Sequence, residues 1–368
     1  MIGNEERLIR PMFGRRWRVL HADAEVVHAS ADLDLYRSTD AGATFHFVAR
    51  AGETWRDRAL ARTPLVSRLL RCGFHGLTPL PNGDMVAVVR GAILHRAAGA
   101  DRFEVAHRIE RGSRPLNVGL APSGRLFFGE YFGNPDRAEV HVYGSDDGRS
   151  WEVAHTFPAG SIRHVHGVHA DPYRGGVWVL TGDDDQESGL YWSDDDLATL
   201  EPVVSGTQRA RAVAVLPRPD AVIVPTDTPR ETNWIQRLDP STGTLERVRP
   251  VPGSVFHATR TRRLSVVSTT VEPSDVNTDE RAALLVSSND EDWTVIARFG
   301  PDLPLPSSKR GLLQYPTLRL PAGTGASRIL ATGQAIAGAH GRLLAWEQDV
   351  VLRAITRDVA EAPIAAAA

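Results

Sequence analysis

The chain lacks most of the features that would place it in a class at first reading. It has one cysteine, Cys72, in 368 residues, which excludes an internal disulfide framework and a cysteine-based zinc site and suits a reducing compartment. A buried, inert thiol is expected there. No apolar run is long enough to cross a bilayer as a helix, and Met1-Ile-Gly-Asn-Glu-Glu-Arg7 carries acids where a secretory leader carries an apolar stretch. A cytoplasmic protein without a membrane partner is expected. Basic excess is missing too: 42 Lys and Arg stand against 45 Asp and Glu, for a formal charge of -3, with the signs interspersed, so nucleic acid is not an expected partner. Nor does a Pro- or Ser-rich linker divide the chain, although it is longer than one ordinary core needs. Two abutting domains or one repeat architecture remain.

Repeats are present. Leu35-Tyr-Arg-Ser-Thr-Asp-Ala-Gly-Ala-Thr-Phe45, Val142-Tyr-Gly-Ser-Asp-Asp-Gly-Arg-Ser-Trp151, Leu190-Tyr-Trp-Ser-Asp-Asp-Asp196 and Leu285-Val-Ser-Ser-Asn-Asp-Glu-Asp-Trp293 share one order. A strand runs into a polar turn, and in three of them an aromatic opens the next strand. The Asp side chain caps its own turn, Gly takes the positive φ, and the aromatic plugs the hairpin. The first two segments resemble the Asp-box, or BNR repeat, of sialidase-like β-propellers, and the other two are degenerate forms. That resemblance implies a propeller and gives Asp40 and Asp146 a structural role, as turn caps facing away from any pocket.

A second hairpin pattern is independent of the first: a polar residue, small or apolar residues, a Pro/Gly turn, then an apolar strand. It starts at His75, Asn117 and His166, and more loosely at Arg211, His257 and Gln314. The intervals of 42, 49, 45, 46 and 57 residues suit one four-stranded blade each. With an N-terminal unit from Trp17 to Ala49, the expected fold is an all-β, seven-bladed β-propeller forming a single domain over residues 1–360, with a frayed tail over 361–368. A six-bladed ring with Thr54 to Leu70 inserted is the competing count. Trp55 to Leu70 is expected as a short helix over the ring, and Pro301 to Arg310 as a loop between blades.

In a propeller, the starts of the innermost strands and the ends of the second strands share one face. That mouth is therefore expected to gather His75, Asn117, His166, Arg211, His257 and Gln314 with Tyr315. It also gathers the second-strand ends Arg90, Glu130 with Tyr131, Asp183, Thr226 with Asp227, Thr270 with Glu272, and Gln334. A lone histidine in a wet channel usually hydrogen-bonds water. Three histidines with an arginine, amides and carboxylates form the donor set of metal or acid–base sites. His21, His28, His46, His95, His107, His141, His155 and His340 are expected in outer strands, edges or turns.

Several chemistries fit this ring. His75, His166 and His257 with Gln314 are expected to hold one divalent ion, of manganese, zinc, iron or calcium. Those ligand types resemble the sites of oligogalacturonate lyases and carotenoid oxygenases, in ligand type only. Without a metal, the set resembles that of propeller polysaccharide lyases, where His or Tyr removes the C5 proton of a uronate whose carboxylate is neutralised. The resemblance implies His75 or His166 as base, Tyr131 or Tyr315 as acid, and Arg211 and Asn117 as neutralisers. Glu130, His164, Asp183, Asp227 and Gln314 would contact the saccharide. Lyase-type elimination on an acidic glycan is the preferred expectation. Hydrolysis in the sialidase manner is the alternative, although the Arg-Ile-Pro element is absent, Arg10-Pro11 is a poor substitute, and Arg163, Arg211 and Arg260 make a triad only by coincidence. Glu130 and Asp183 remain a carboxylate pair for another glycosidase. A non-catalytic binding scaffold is the reading from a different class.

Overall fold

The computed structural model describes residues 16–52, 68–272, 274–305 and 314–361. Strands β1–β4 (Trp17–Ala22, Val27–Ala31, Asp34–Ser38, His46–Arg50) form a four-stranded sheet in chain order. The same meander recurs in β5–β8 (Gly76–Pro79, Met85–Val89, Ala92–Arg96, Glu104–Arg108) and β9–β12 (Gly119–Leu120, Leu126–Gly129, Val140–Ser145, Glu152–Phe157). It continues in β13–β16 (His164–Asp171, Gly176–Gly182, Gly189–Ser193, Glu201–Ser205) and β17–β20 (Leu216–Pro217, Val222–Pro225, Asn233–Asp239, Thr244–Val251). An eight-stranded sheet follows. In it β21–β24 (Ser254–Thr261, Ser265–Thr270, Ala282–Ser287, Thr294–Phe299) connect through Thr270 and Thr317 to β25, β27 and β28 (Thr317–Arg319, Arg328–Gln334, Leu343–Glu347). The short β26 (Thr324–Ala326) lies parallel to β21, and helix α1 (Gln348–Glu361) ends the described chain.

Burial explains why the second strands read as unbroken apolar runs while the fourth are polar. In β6 (Met-Val-Ala-Val-Val), Met85 and Ala87 pack with Leu35 and Phe74 of the preceding sheet region, and Val86 and Val88 pack with Leu126 and Phe128 of the next. A strand buried on both faces needs no alternation. By contrast β8 (Glu-Val-Ala-His-Arg) is an outer edge with no fully buried residue. Further interfaces repeat this scheme: Phe127 and Val142 against Val165 and Val179, Leu180 against Val224, Ile223 against Val267, and Val266 against Ile329. Trp17 and Val19 then meet Leu330 and Leu343, and Trp17 N donates to Gly341 O, so the first sheet closes onto the last. Helix α1 covers the Val266–Ile329 interface with Val351 and Ile355. At Gly129 a Cβ would lie 2.3 Å from Val165 Cβ, so only glycine lets these two sheets approach.

The polar turns lie between third and fourth strands. Ser38 Oγ donates to Asp40 Oδ1 at 2.6 Å, and Asp40 accepts from Thr44 N at 2.9 Å and Thr44 Oγ1 at 2.6 Å. Asp195 repeats this with Ser193 and Thr199. In the second turn the cap is Asp147, which accepts from Arg149 N and Ser150 N, and not Asp146, which stands exposed 3.3 Å from Arg125. The offset from the serine decides: Asp40, Asp147, Asp195 and Asn289 all lie two residues beyond Ser38, Ser145, Ser193 and Ser287.

Two other expectations shift. His21 lies in the innermost β1, its ring 6.1 Å from that of the buried His28, and not in an outer strand. The expected helix over Trp55 to Leu70 lies mostly outside the described residues, as do 306–310 of the expected loop and the tail from 362; 68–70 are helical. Among the described residues no helix is long and apolar enough to cross a membrane.

Candidate functional site

All six starting residues of the second hairpin pattern, His75, Asn117, His166, Arg211, His257 and Gln314, line one cavity of about 1110 Å³. Tyr131, Asp183, Asp227 and Tyr315 line it as well. The meander accounts for this. His75 and Asn117 lie one and two residues before the short innermost strands β5 and β9, whereas Asp183 and Asp227 follow the second strands β14 and β18, so both sets emerge at the same mouth. Bulges re-aim two of the strands: β13 carries an extra residue between Val165 and Gly167, namely His166, and β21 carries Phe256 between Val255 and His257. His166 therefore corresponds in register to Phe256, and His257 to Gly167, which is why the histidines do not repeat one another's direction.

The carboxylate side of the cavity centres on Asp183. Its Oδ1 lies 3.3 Å from His166 Nε2, 3.4 Å from His164 Nε2 and 3.1 Å from Arg211, and its Oδ2 lies 3.1 Å from Arg163. Burial alone would raise the Asp183 carboxyl, but bonds from His164 and His166 and the Arg211 charge hold it well below the usual carboxylate range. Asp227, 3.7 Å from Arg211, and Glu272 behave oppositely. Burial pushes both up, with the Asp183 charge adding to the rise of Asp227 and the Asp227 charge adding to that of Glu272, which is raised to about 8. At neutral pH this pair keeps a proton while Asp183 stays ionised. Tyr131, its ring 4.3 Å from that of His164, is pushed up to about 12 by burial and by Asp183, Asp227 and Glu272, and Tyr315 is raised by burial and Glu272.

Several predicted residues are engaged elsewhere. His75 Nδ1 faces an Arg18 N–H at 3.1 Å and must accept, so its Nε2–H donates to Arg71 O at 2.7 Å. Both nitrogens are committed, and His75 positions Arg18 where a free base was expected. Asn117 spends both amide ends on Val168, donating to its O at 2.7 Å and accepting from its N at 3.1 Å, so it clamps neighbouring sheets. Glu130 does not line the cavity: it pairs with Arg111 and accepts from His141 N at 2.8 Å. It therefore makes no carboxylate pair with Asp183. Of the three arginines considered as a triad, Arg163 and Arg211 both face Asp183, whereas Arg260 donates to Tyr173, elsewhere in the cavity lining.

The expected metal set is not assembled. The one group of three or more His, Cys, Asp or Glu among the described residues with ligand atoms within 4.8 Å of one another is His164, His166 and Asp183, which includes neither His75 nor His257. His75 is turned to Arg18 and Arg71, and burial with the nearby Arg319, Arg18 and Arg114 keeps His257 neutral. The His164 and His166 Nδ1 atoms lie 3.0 Å from Phe132 O and Ala212 O, so each carries hydrogen there, and the two Nε2 atoms face each other at 3.2 Å. A divalent ion at this cluster would share Asp183 with the guanidinium groups of Arg163 and Arg211.

Across the cavity stands a group that the sequence reading missed: Arg18 on β1, Arg71, Arg114 and Arg319 on β25, together with His75 and His257. The available signal was an arginine inside an apolar strand, as in Trp17-Arg18-Val19-Leu20 and Leu318-Arg319-Leu320. Glu272 was visible as a second-strand end, but its proton-holding environment was not.

No protein-family model matches the sequence, and no curated protein does. Solved structures do. The GH74 xyloglucanase of Xanthomonas campestris superposes with a TM-score of 0.54 at 15% identity over 91% of this chain and 56% of that one. A GH74 enzyme of Niastella koreensis gives 0.55 at 10% identity over 90% of this chain and 43% of that one. Puromycin hydrolase gives 0.51 at 13% identity over 89% of this chain and 51% of that one. This chain thus spans about half the length of each of these three solved chains. At such identities the likeness shows the fold alone: these antiparallel four-stranded sheets are those of an all-β propeller.

Proposed function

We propose that the chain is a carbohydrate-active enzyme that cleaves an anionic saccharide in this cavity by acid–base chemistry. We read the ring as seven-bladed, with the eight-stranded sheet counted as two blades, supported by seven separate apolar clusters among the described residues. The observation that carries the functional reading is the split among three carboxyls in one cavity. Glu272, with Asp227, retains a proton at neutral pH, whereas Asp183 is held ionised. Groups whose environments push their acidities apart divide the roles of acid and base. Glu272 donates its proton to the departing glycosidic oxygen, and the Asp183 carboxylate opposes the positive charge that develops on the sugar ring or orients the attacking water. Glycoside hydrolases among the structural neighbours agree with this class.

A second reading, β-elimination from a uronate, is favoured by one feature: guanidinium groups able to neutralise a carboxylate lie in the same cavity as a protonated Tyr131 and the His166–Asp183 pair. Incubation with polyuronates and other anionic glycans separates the two. Both reactions release reducing ends, but only elimination produces the absorbance of an unsaturated uronate. Glu272→Gln and Asp183→Asn are each expected to abolish release. Release at the wild-type rate in both variants would refute the acid–base assignment.

A further inference from the structure

The geometry points to a dianionic oxyanion subsite at the arginine end of the cavity, formed by Arg18, Arg71, Arg114 and Arg319 and filled by a phosphate monoester group of the ligand. The inference rests on this cavity being the ligand site proposed above, but not on the reaction performed there. Among the described residues none of the four arginines forms an ion pair with a carboxylate. Their protein contacts are sparse: Arg18 donates to Phe74 O and His75, Arg114 reaches only Pro115 O at 3.5 Å, and Arg319 reaches Gln334 Oε1 at 3.4 Å and His75 O at 3.5 Å. All four line the cavity, with no further side-chain hydrogen bond among the described residues.

Charge counting sets the valence of the ligand. Asp183 is already matched by Arg163 and Arg211, and Asp227 and Glu272 retain a proton, so the carboxylate side does not offset the arginine side. The arginines crowd one another: Arg18 is lowered to about 10 by burial and then Arg114, Arg114 to about 10 by burial and then Arg71, and Arg319 is held well below the usual arginine range by burial and its three neighbours. Several guanidiniums held together against their own repulsion are stabilised most by an anion that accepts bidentate bonds from more than one of them. A single carboxylate has two oxygens and one charge. A phosphate monoester offers three oxygens and close to two charges above its second ionisation, near pH 6. His257, neutral and lining the same end, adds a donor without adding charge.

Calorimetric titration of the full chain with inorganic phosphate, and with glucuronate as the monocarboxylate probe, tests this. At about pH 8 phosphate is expected to bind at least ~10-fold more tightly than glucuronate, and its affinity is expected to fall at about pH 5.5, where phosphate is a monoanion. Arg319→Gln and Arg71→Gln are each expected to weaken phosphate by ~10-fold, and Arg319→Gln is expected to raise the thermal midpoint of the unliganded protein because a repelling charge is removed. Arg71 is exposed, so its variant keeps the test open should Arg319→Gln fail to fold. Glucuronate binding as tightly as phosphate would overturn the dianion, and phosphate binding unchanged in both variants would overturn the location. Glu272→Gln is expected to retain phosphate while losing cleavage. Phosphate bound by a protein that cleaves no glycoside would sink the enzymatic reading and leave the subsite standing.

Discussion

Glu272→Gln isolates the energetic consequence of the proton held in the cavity. The folded carboxyl titrates near 8, against 4.5 for the ordinary group, because burial and then Asp227 oppose its ionisation, with the Asp183 charge adding to them and Arg211 partly offsetting them. Between these two pH values the folded protein binds a proton that the unfolded chain has released, so this group makes stability fall as pH rises through the window, with the loss complete above about 8. At roughly 1.4 kcal/mol per pH unit the whole window sets an upper limit on the order of 5 kcal/mol. Sharing of the proton with Asp227, and cavity water around a half-buried side chain, bring the expected loss to about 2–3 kcal/mol. Glutamine keeps the shape and cannot ionise. Urea unfolding of wild type and variant at several values between about pH 5 and about pH 9 therefore has a specific expectation: the variant gains on the wild type as pH rises, by about 2–3 kcal/mol at the alkaline end. Using the difference cancels other titrating groups. Parallel profiles for the two proteins would refute the claim that Glu272 is held protonated. In the proposed reaction the same proton is consumed, so wild-type turnover should decline above about pH 8.

Three further outcomes follow from the geometry. Asp147→Ala should lower stability by about 1 kcal/mol through its lost turn bonds, while Asp146→Ala should change stability by less than about 0.5 kcal/mol; thermal unfolding of both variants checks the register of the turn. Gly129→Ala should cost about 1–3 kcal/mol by overpacking against Val165, and the added Val165→Ala change should recover part of that loss, measured as a double-mutant cycle. His164→Ala and His166→Ala should each lower turnover on any cleaved glycan, and the loss should appear in kcat more than in KM, because both groups act on the Asp183 carboxylate; equal rises in KM with kcat unchanged would assign them to substrate binding instead.

The blade repeat was legible because a meander buried on both faces has to place apolar residues continuously in its second strands and turn residues at regular intervals. Met85–Val89 and Gly176–Gly182 advertise this directly. Convergence of His75, Asn117, His166, Arg211, His257 and Gln314 on one mouth followed from the same regularity, since successive strand starts must share a face. Side-chain direction did not follow. Bulges at His166 and Phe256 shift the register by one residue, and a shift of one residue turns a side chain to the opposite face. His166 and His257 therefore point differently, and with His75 held by Arg18 and Arg71 the three imidazoles do not come together as one metal shell.

Sequence by itself thus determined the all-β repeat, the strand order and the face on which the polar residues gather, because these depend on periodicity and turn chemistry that are local in the chain. Tertiary structure decided which of those residues remain available. His75 and Asn117 are consumed by Arg18, Arg71 and Val168, which lie 57, 4 and 51 residues away in the chain. It also decided the acidities of Asp183, Asp227 and Glu272 and the gathering of Arg18, Arg71, Arg114 and Arg319, which come from separate parts of the ring. Desolvation and Coulomb interaction depend on distance in space, and no pattern along the chain encodes the distance between strands that only ring closure brings together.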